Sequence, residues 1–258
     1  MTNAFKGWKT VAKNLCAFGT AGEKLNEGQA ASLRALAKRL PNNGVIIADE
    51  VGMGKTRIAA FVAKAVTDAG GRVAILVPPG LGYQWRDELR VVDVKSPPIL
   101  RSLWQYLQVW EHKEQSGPWF EEKAIIVSHA FINWRLGENS EPWRWALLPE
   151  IYARWRKQTK KRLPDGYTSE QQLDDQWVKH AAESIVSAID KNSEEHKARK
   201  TIEELADKTP WPGALIAAEY KRDGELRPWL ERAVGLGLGV FDLVIIDEAH
   251  KAEGKTAA

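Results

Sequence analysis

The sequence predicts an α/β fold with a parallel sheet, and two observations support this prediction. Short apolar, β-branched runs alternate with helical patterns in the first half of the chain, and each run is apolar throughout. The alternation is typical of βα units, and continuous apolar runs are typical of parallel strands covered on both faces. A helix-rich stretch then separates the last strand from the others, which predicts a helical insertion in the sheet domain.

The elements follow from these patterns in chain order. Strands are predicted at 45–48, 73–77, 124–127 and 243–246, and helices follow the first three at 55–66, 83–90 and 129–136. In the insertion, Thr168 and Gln171 resemble a capping box. After them, apolar residues recur at helical spacing: Leu173, Trp177, Ala181, Ile185 and Ala188.

Size and composition limit the class of protein. A chain of 258 residues with 44% hydrophobic residues can bury one sizeable core. The single cysteine, Cys16, excludes an intrachain disulfide and a thiolate metal cluster. The net charge of +3 is mild, so binding to a polyanion would depend on local clusters of charge. The N-terminus lacks the apolar segment of a signal peptide, and no run approaches the roughly 18 apolar residues of a membrane span. We therefore expect a cytoplasmic protein without a membrane partner.

The stretch GVIIADEVGMGKT places a glycine-containing loop between an apolar run and a predicted helix. Gly52 and Gly54 lack a Cβ, so the backbone N–H groups of the loop can approach phosphate oxygens closely. Lys55 would provide a charge for the β and γ phosphates of ATP, and the Thr56 hydroxyl can bind Mg²⁺. The usual pattern has glycine where this chain has Asp49. A chance match is the alternative, but the predicted strand, loop and helix supply the context that the motif requires.

A second Gly-Lys-Thr sequence, at 254–256, fails the same test because it follows no predicted strand and opens no helical pattern. We interpret it as a coincidence. The Gly-rich stretch 235–239 precedes a strand where a dinucleotide-binding loop would follow one, so it is interpreted as a short joint.

The run FDLVIIDEAH offers the acidic groups that ATP hydrolysis requires. Asp247 would lie at the carboxyl end of the last strand and hold Mg²⁺, and Glu248 would act as general base toward water. An acidic turn after a core strand is the alternative interpretation, which the phosphate loop upstream makes the weaker one.

Together these segments resemble the first motor domain of superfamily 2 helicases, and more closely that of Swi/Snf-type DNA translocases. DEVGMGKT matches the form D-E-x-G-x-G-K-T of that family's phosphate loop, and DEAHK matches its metal and general-base motif. Three other stretches resemble family motifs in the same order: LNEGQAASLRAL, ILVPPGLGYQWRDEL and AIIVSHAFI. DEAH-type RNA helicases look less similar, because their loop usually lacks the preceding Asp-Glu.

The resemblance implies a RecA-like fold, ATP and Mg²⁺ as cofactors, and DNA as partner, with double-stranded DNA favoured over RNA. It assigns Gln29 to the adenine and Asp49 to the ATP-binding loop, and His250 would link the nucleotide site to the nucleic acid. It also implies contacts with nucleic acid near four residues: Gln84, Trp85, Ser128 and His129.

The family further needs a second RecA-like domain, in cis or in trans, whose arginine finger contributes roughly 10³ to 10⁵ in turnover in related NTPases. We identify no such domain in this sequence, so this chain alone is expected to bind ATP far better than it hydrolyses it. The predicted domains are an N-terminal extension at 1–22, the first part of the RecA-like domain at 23–135, a Trp-rich helical insertion at 136–236, and the DEAH strand with an incomplete domain end at 237–258.

The insertion contains a predicted helix with two distinct features. Trp143, Leu147, Ile151 and Trp155 form one helical stripe, which we interpret as a core face. Six basic residues then fall within residues 154–162: Arg154, Arg156, Lys157, Lys160, Lys161 and Arg162. Such a run is usually a solvated face, and the alternative is a strip that contacts DNA phosphates.

Three functional hypotheses remain at this stage. The first is an ATP-driven DNA translocase module, which is an enzyme. The second is a non-catalytic module that binds ATP or DNA with negligible ATPase activity. The third is a P-loop NTPase unrelated to nucleic acid, against which the segments around Gln84 and Ser128 argue.

Overall fold

The computed structural model of the chain describes residues 4–19, 24–48, 52–95, 99–110, 119–163, 175–191 and 196–248. Within these ranges the strands are β1 (Val73–Val77), β2 (Ile99–Leu100), β3 (Ala124–Ser128) and β4 (Leu243–Ile246). They form one parallel sheet in the order β2-β3-β1-β4. The predicted α/β class and parallel sheet are confirmed.

The chain divides into two compact units. Unit 1 comprises the described residues of Met1–Arg101, Glu122–Phe131 and Phe241–Ala258, and unit 2 those of Ser102–Glu121 and Ile132–Val240. Unit 2 thus includes the predicted insertion at 136–236 and also a second segment that lies before β3. Sequence reasoning placed that earlier segment in the sheet domain, because its apolar pattern alone does not identify the core that it joins.

Unit 1 carries the sheet and four helices: α1 (Trp8–Phe18), α2 (Glu27–Arg39), α3 (Lys55–Asp68) and α4 (Gly82–Val91). The core is built on β1 and β3, whose side chains are nearly all buried, and on the apolar face of α3, with buried residues of α1, α2 and α4 packed in the same cluster. Asp242, just before β4, accepts a 2.8 Å hydrogen bond from the backbone N–H of Arg72, just before β1. This contact sets the register between β1 and β4 at their amino ends.

The predicted strand at 45–48 is wrong, because these residues are irregular and Ile46 is 91% exposed. Within the described part of the chain, β4 pairs with β1 alone, and no strand lies along its outer edge. An apolar, β-branched run forms a strand only where a neighbour completes its hydrogen bonds, and local pattern does not report that neighbour. The prediction that the strands are covered on both faces is also wrong for β4, because Val244 and Ile246 are half-exposed.

The predicted helix at 129–136 is also wrong, since only a 3₁₀ turn forms there, at His129–Ile132. The hydroxyl oxygen of Ser128 accepts a 3.3 Å hydrogen bond from the backbone N–H of Ala130. Such local side-chain to backbone bonds compete with regular helix. The helices predicted at 55–66 and 83–90 are confirmed as α3 and α4, within two residues at each end.

Unit 2 is helical in its described residues, with α5 (Leu103–Gln108), α6 (Leu147–Gln158), α7 (Gln176–Lys191), α8 (His196–Lys208) and α9 (Arg227–Leu238). The predicted core stripe is confirmed on α6, where Leu147, Ile151 and Trp155 are buried, whereas Trp143 lies in the 3₁₀ turn before this helix. The predicted capping box at Thr168 and Gln171 lies outside the described residues.

Aromatic packing and one close approach hold α5 and α9 of unit 2 together. Tyr106 is fully buried, stacks on Trp119 and donates a 3.1 Å hydrogen bond to the Val234 carbonyl. A Cβ on Gly237 would overlap with the Tyr106 hydroxyl oxygen. Packing therefore requires glycine at position 237. The Gly-rich stretch 235–239 is mostly the last turn of α9, so the predicted joint is wrong.

No helix in the described ranges is both long and apolar enough to cross a membrane.

Candidate functional site

The start of α3 carries the predicted phosphate-binding residues. Gly54 is the residue before the helix and has a φ of +79°, and Gly52 has a φ of +89°. Both values lie in the left-handed region that side chains avoid, which explains why glycine occupies both positions. Among the described residues no side chain caps α3, so the free N–H groups and the positive end of the helix face the loop before it. Lys55 and Thr56 are the first two residues of this helix. Asp49 lies outside the described residues.

Gln29 lies against this loop. Gln29 is the third residue of α2 and forms a capping box with Asn26. The backbone N–H of Gln29 donates to the Asn26 side chain at 2.8 Å, and the backbone N–H of Asn26 donates to the Gln29 side chain at 3.1 Å. The Gln29 side-chain amide also donates to the Met53 carbonyl at 3.4 Å. A Cβ on Gly54 would overlap with the same amide nitrogen. The structure thus brings together a glutamine and a glycine loop that are 25 positions apart.

The predicted acidic pair follows β4. The backbone N–H of Asp247 donates to the Leu76 carbonyl at 2.9 Å, so Asp247 continues the ladder with β1 to its carboxyl end. Glu248, the next residue, has a φ of +53°. A non-glycine residue in this region is uncommon, and such backbone conformations cluster at functional sites. His250 lies outside the described residues.

Asp247 is held by α4. The indole N–H of Trp85 donates a 2.7 Å hydrogen bond to the Asp247 carboxylate. Trp85 is 2% exposed, so burial does not fit the direct contact with nucleic acid predicted for it. The contact that the structure shows is the hydrogen bond to the Asp247 carboxylate. Gln84, the adjacent residue, is exposed as that prediction requires.

Besides its bond to Asp247, α4 also contacts the start of α3. The Arg57 guanidinium forms a two-point ion pair with Glu88 on α4 and also donates to the Lys24 carbonyl at 3.3 Å. The Lys24 ammonium group donates to the Val91 carbonyl at the end of α4 at 2.7 Å. The hydrogen bonds to Glu88 raise the pKa of Arg57 above its ordinary value. The loop before α2 and the first turn of α3 are thereby fixed to one helix.

The next predicted nucleic-acid segment follows β3. Ser128 is 4% exposed, and its hydroxyl accepts the local hydrogen bond from Ala130, so its side chain has little surface to offer a nucleic acid. His129 is half-buried, and its Nε2 is buried without a hydrogen-bond partner among the described residues. We retain His129 as the stronger candidate of the two.

The basic run lies at the end of α6 in unit 2, and its members differ in their surroundings. Arg154 lies within 3.6 Å of Glu150 and 3.5 Å of Glu183, as part of a charge cluster between α6 and α7. Lys157 and Lys160 are exposed, and Lys161 lies 3.9 Å from Asp207. Arg154 is therefore engaged in packing within unit 2, and the lysines remain candidates for phosphate contact.

The oxygen-bearing side chains at this site are of the kind that binds Mg²⁺ together with ATP. Thr56 and Asp247 offer a hydroxyl and a carboxylate oxygen, which are hard ligands of the kind that Mg²⁺ prefers. Among the described residues no group of three or more metal-ligating side chains occurs. An ion here would complete its coordination with phosphate oxygens and water, as Mg²⁺ commonly does at nucleotide sites.

Sequence reasoning missed the two links to α4. Arg57 directly follows the phosphate-loop motif, and nothing in the sequence around it indicates that Glu88 is its partner. The Trp85 bond to Asp247 spans 162 positions, which no local pattern reports. The capping box of Gln29, in contrast, is visible in the sequence as Asn-Glu-Gly-Gln.

Comparisons of this chain with protein-family models, with curated proteins and with solved structures found no match.

Proposed function

We propose that this chain is the ATP-binding motor domain of an ATP-dependent DNA translocase or helicase, with unit 1 as a RecA-like domain of the DEAH-box, Swi/Snf-like type. The observation that carries the proposal is the contact of the Gln29 amide with the Met53 carbonyl, next to Gly54. A glycine loop at a helix start can hold phosphates, and the amide of an adjacent glutamine can both donate to and accept from an adenine edge.

In the bound complex, the loop around Gly52 and Gly54 and the first turn of α3 hold the phosphates, and Lys55 neutralises charge on the β and γ groups. Gln29 donates to and accepts from the adenine edge, as an amide can do both. Asp49, by resemblance, belongs to the same loop. Thr56 and Asp247 would hold Mg²⁺, and the ion would supply positive charge to the phosphate oxygens.

Hydrolysis requires a base beside the carboxylate that binds Mg²⁺. Glu248 follows Asp247 directly and has a left-handed backbone, with a φ of +53°. We assign Glu248 to accept the proton of the attacking water as the water oxygen bonds to the γ phosphorus and the bond to the ADP oxygen breaks.

Turnover is assigned to a two-domain assembly. A second RecA-like domain, in cis or in trans, supplies an arginine to the transition state, and cycles of ATP binding and release move the pair along DNA. Gln84 and His129 contact the DNA, His250 links the nucleotide and DNA sites, and the lysines at 157, 160 and 161 contribute phosphate contacts.

The test is ATP turnover with and without duplex DNA, for the unsubstituted chain, Lys55→Ala and Glu248→Gln, each alone and with a second RecA-like domain added. We expect turnover that DNA stimulates, with nucleotide binding and turnover lost in Lys55→Ala and turnover alone lost in Glu248→Gln. Turnover indifferent to DNA would favour an NTPase unrelated to nucleic acid. Nucleotide binding without turnover in every combination would favour a non-catalytic module.

A further inference from the structure

Two hydrogen bonds fix the side-chain amide of Gln29 in one orientation. Its oxygen accepts from the backbone N–H of Asn26 at 3.1 Å, and its nitrogen donates to the Met53 carbonyl at 3.4 Å. A backbone N–H can only donate and a carbonyl can only accept, so a reversed amide would lose both bonds. The amide oxygen has a second lone pair and the nitrogen a second N–H, and these remain for a ligand in a fixed order.

One acceptor beside one donor matches the edge of adenine and does not match that of guanine. Adenine presents its N6 amino donor beside its N7 acceptor, whereas guanine presents two acceptors, O6 and N7. If the amide cannot reverse, one acceptor of guanine faces the acceptor oxygen of Gln29. The preference for adenine therefore depends on how firmly Gln29 and Asn26 are held.

Arg57 and Glu88 hold the segment that leads into Asn26. Lys24 lies two residues before Asn26, and the Arg57 guanidinium donates to the Lys24 carbonyl at 3.3 Å. Both carboxylate oxygens of Glu88 accept from the same guanidinium. The Lys24 ammonium group donates to the Val91 carbonyl at 2.7 Å. The backbone and the side chain of Lys24 are thus both attached, directly or through Arg57, to α4.

The contact between Arg57 and Glu88 is suited to hold this segment. It is a two-point, charge-assisted contact, and its side chains are only 27% and 24% exposed, so water and salt screen it less than a pair on the open surface. The pair of Arg90 with Asp87 is different, because both side chains are more than half exposed and lie three residues apart on one helix. Loss of Glu88 should therefore loosen Lys24, whereas loss of Arg90 should not.

We propose that Arg57 and Glu88 are positioning residues that set the preference of this site for adenine over guanine nucleotides. They act by holding residues 24–26 and, through Asn26, the amide of Gln29. The inference rests on the proposed function, because it requires that Gln29 faces a nucleotide base. A direct contact of Arg57 with phosphate is the alternative, since Arg57 follows Thr56 in the first turn of α3.

Glu88→Gln separates the two roles. Glutamine keeps the length of the side chain but loses the charge and one of the two acceptor oxygens. The affinities for ATP, GTP and inorganic tripolyphosphate, each with Mg²⁺, are measured by calorimetric titration. We expect ATP affinity to fall about threefold to tenfold, and GTP and tripolyphosphate affinities to stay within about twofold. Tripolyphosphate has no base, so its binding reports the phosphate loop alone.

Two further variants sharpen the test. Arg57→Lys keeps the positive charge but cannot form the two-point contact with Glu88, and it should reduce the preference for ATP over GTP as Glu88→Gln does. The double variant should be no worse than either single one, because the two residues act as a unit.

Arg90→Gln is the matched control, because it breaks an ion pair that stays within α4. It should leave all three affinities unchanged. Thermal unfolding without nucleotide confirms that each variant is folded at the temperature of the titration.

A ratio of ATP to GTP affinity that is unchanged in Glu88→Gln would overturn the positioning role and leave the proposed function intact. Equal losses for ATP, GTP and tripolyphosphate would also overturn it, because they would assign the pair to the phosphate loop. Tighter tripolyphosphate binding in Glu88→Gln with an unchanged ratio would assign Arg57 to phosphate and overturn it as well. Absence of nucleotide binding by the unsubstituted chain would overturn both the positioning role and the proposed function.

Discussion

The indole N–H of Trp85 and the carboxylate of Asp247 are joined by a 2.7 Å hydrogen bond within unit 1. Trp85 is in α4 and Asp247 directly follows β4. The helix that presents Gln84, a proposed DNA contact, at its start is therefore bonded to the proposed Mg²⁺ ligand. A displacement of α4 by DNA would change the orientation of this carboxylate, which provides a physical route between the two proposed sites.

Trp85→Phe is predicted to weaken the effect of Mg²⁺ on ATP binding. The variant keeps an aromatic ring but loses the N–H that orients Asp247, and loss of a residue that supports a metal ligand typically costs about 10-fold to 100-fold in metal affinity. The measurement is the Mg²⁺ concentration that gives half of the maximal gain in ATP affinity. ATP binding in the presence of a chelator should be unchanged.

Trp143→Phe is the control for this variant. Trp143 also donates its indole N–H to a carboxylate, that of Glu141 at 3.0 Å, in a surface turn of unit 2. Its removal should leave the Mg²⁺ dependence unaltered. An equal response of the two variants would show that the Trp85 bond has no specific role at the metal.

Gly54→Ala is predicted to lower the free energy of unfolding by more than Gly52→Ala does. Both positions have a left-handed backbone, where a Cβ costs about 1 to 2 kcal/mol. At position 54 the added carbon would also displace the Gln29 amide, whereas at position 52 it meets no atom of the described residues within 4 Å. Chemical denaturation without nucleotide measures the difference. Equal losses at the two positions would mean that Gln29 does not pack against the loop.

Gly237→Ala and Gly235→Ala, two residues apart on α9, should change stability in opposite directions. A Cβ at 237 overlaps with the Tyr106 hydroxyl, and such overpacking costs about 1 to 3 kcal/mol. At position 235 no atom of the described residues lies within 4 Å, so alanine should stabilise the helix by about 0.5 to 1 kcal/mol. Thermal unfolding of both variants checks this, and a stabilising effect of Gly237→Ala would contradict the packing described for unit 2.

Stability should decrease with pH above about 10 because two tyrosines are buried. Burial raises the pKa of Tyr106 and of Tyr220 well above their ordinary value of 10.0. The unfolded chain releases these protons above pH 10 while the folded chain retains them. The contribution of the two tyrosines to the free energy of unfolding is therefore complete below pH 10. It is lost as the pH rises toward their pKa values in the folded chain, by about 1.4 kcal/mol per pH unit for each group.

The measurement for this prediction is urea unfolding at several alkaline pH values. Tyr106→Phe and Tyr220→Phe should each reduce the slope of stability against pH, and the exposed Tyr83→Phe controls for loss of a tyrosine hydroxyl. A slope that is the same in all three variants would refute the assignment to the buried pair.

Much of the fold was predictable because its signals are local. The periodic apolar residues of α3 and α4 and the continuous apolar runs of β1, β3 and β4 identify these elements within a few residues. Gly52 and Gly54 predict a tight loop before α3, and the positive φ values found at both positions are ones that only glycine readily adopts.

The remainder depends on contacts between distant residues. Ile99–Leu100 is too short to be recognised as a strand, yet it joins the sheet beside β3. Trp85 matched a motif assigned to nucleic acid, and only the fold shows that its N–H points to Asp247. The run at 45–48 has the composition of a strand but lacks a partner among the described residues, so composition alone predicted it wrongly.

The most direct test of the central claim is a calorimetric titration of the chain with ATP and Mg²⁺, beside Lys55→Ala and the control Lys64→Ala. Lys64 lies on the same helix and pairs with Asp68 at 2.6 Å, away from the loop. The account predicts saturable binding to the unsubstituted chain and to Lys64→Ala. It predicts a loss of at least about tenfold in Lys55→Ala, because this variant lacks the ammonium group proposed to contact the phosphates. No binding by the unsubstituted chain, or equal affinity in Lys55→Ala, would contradict the account.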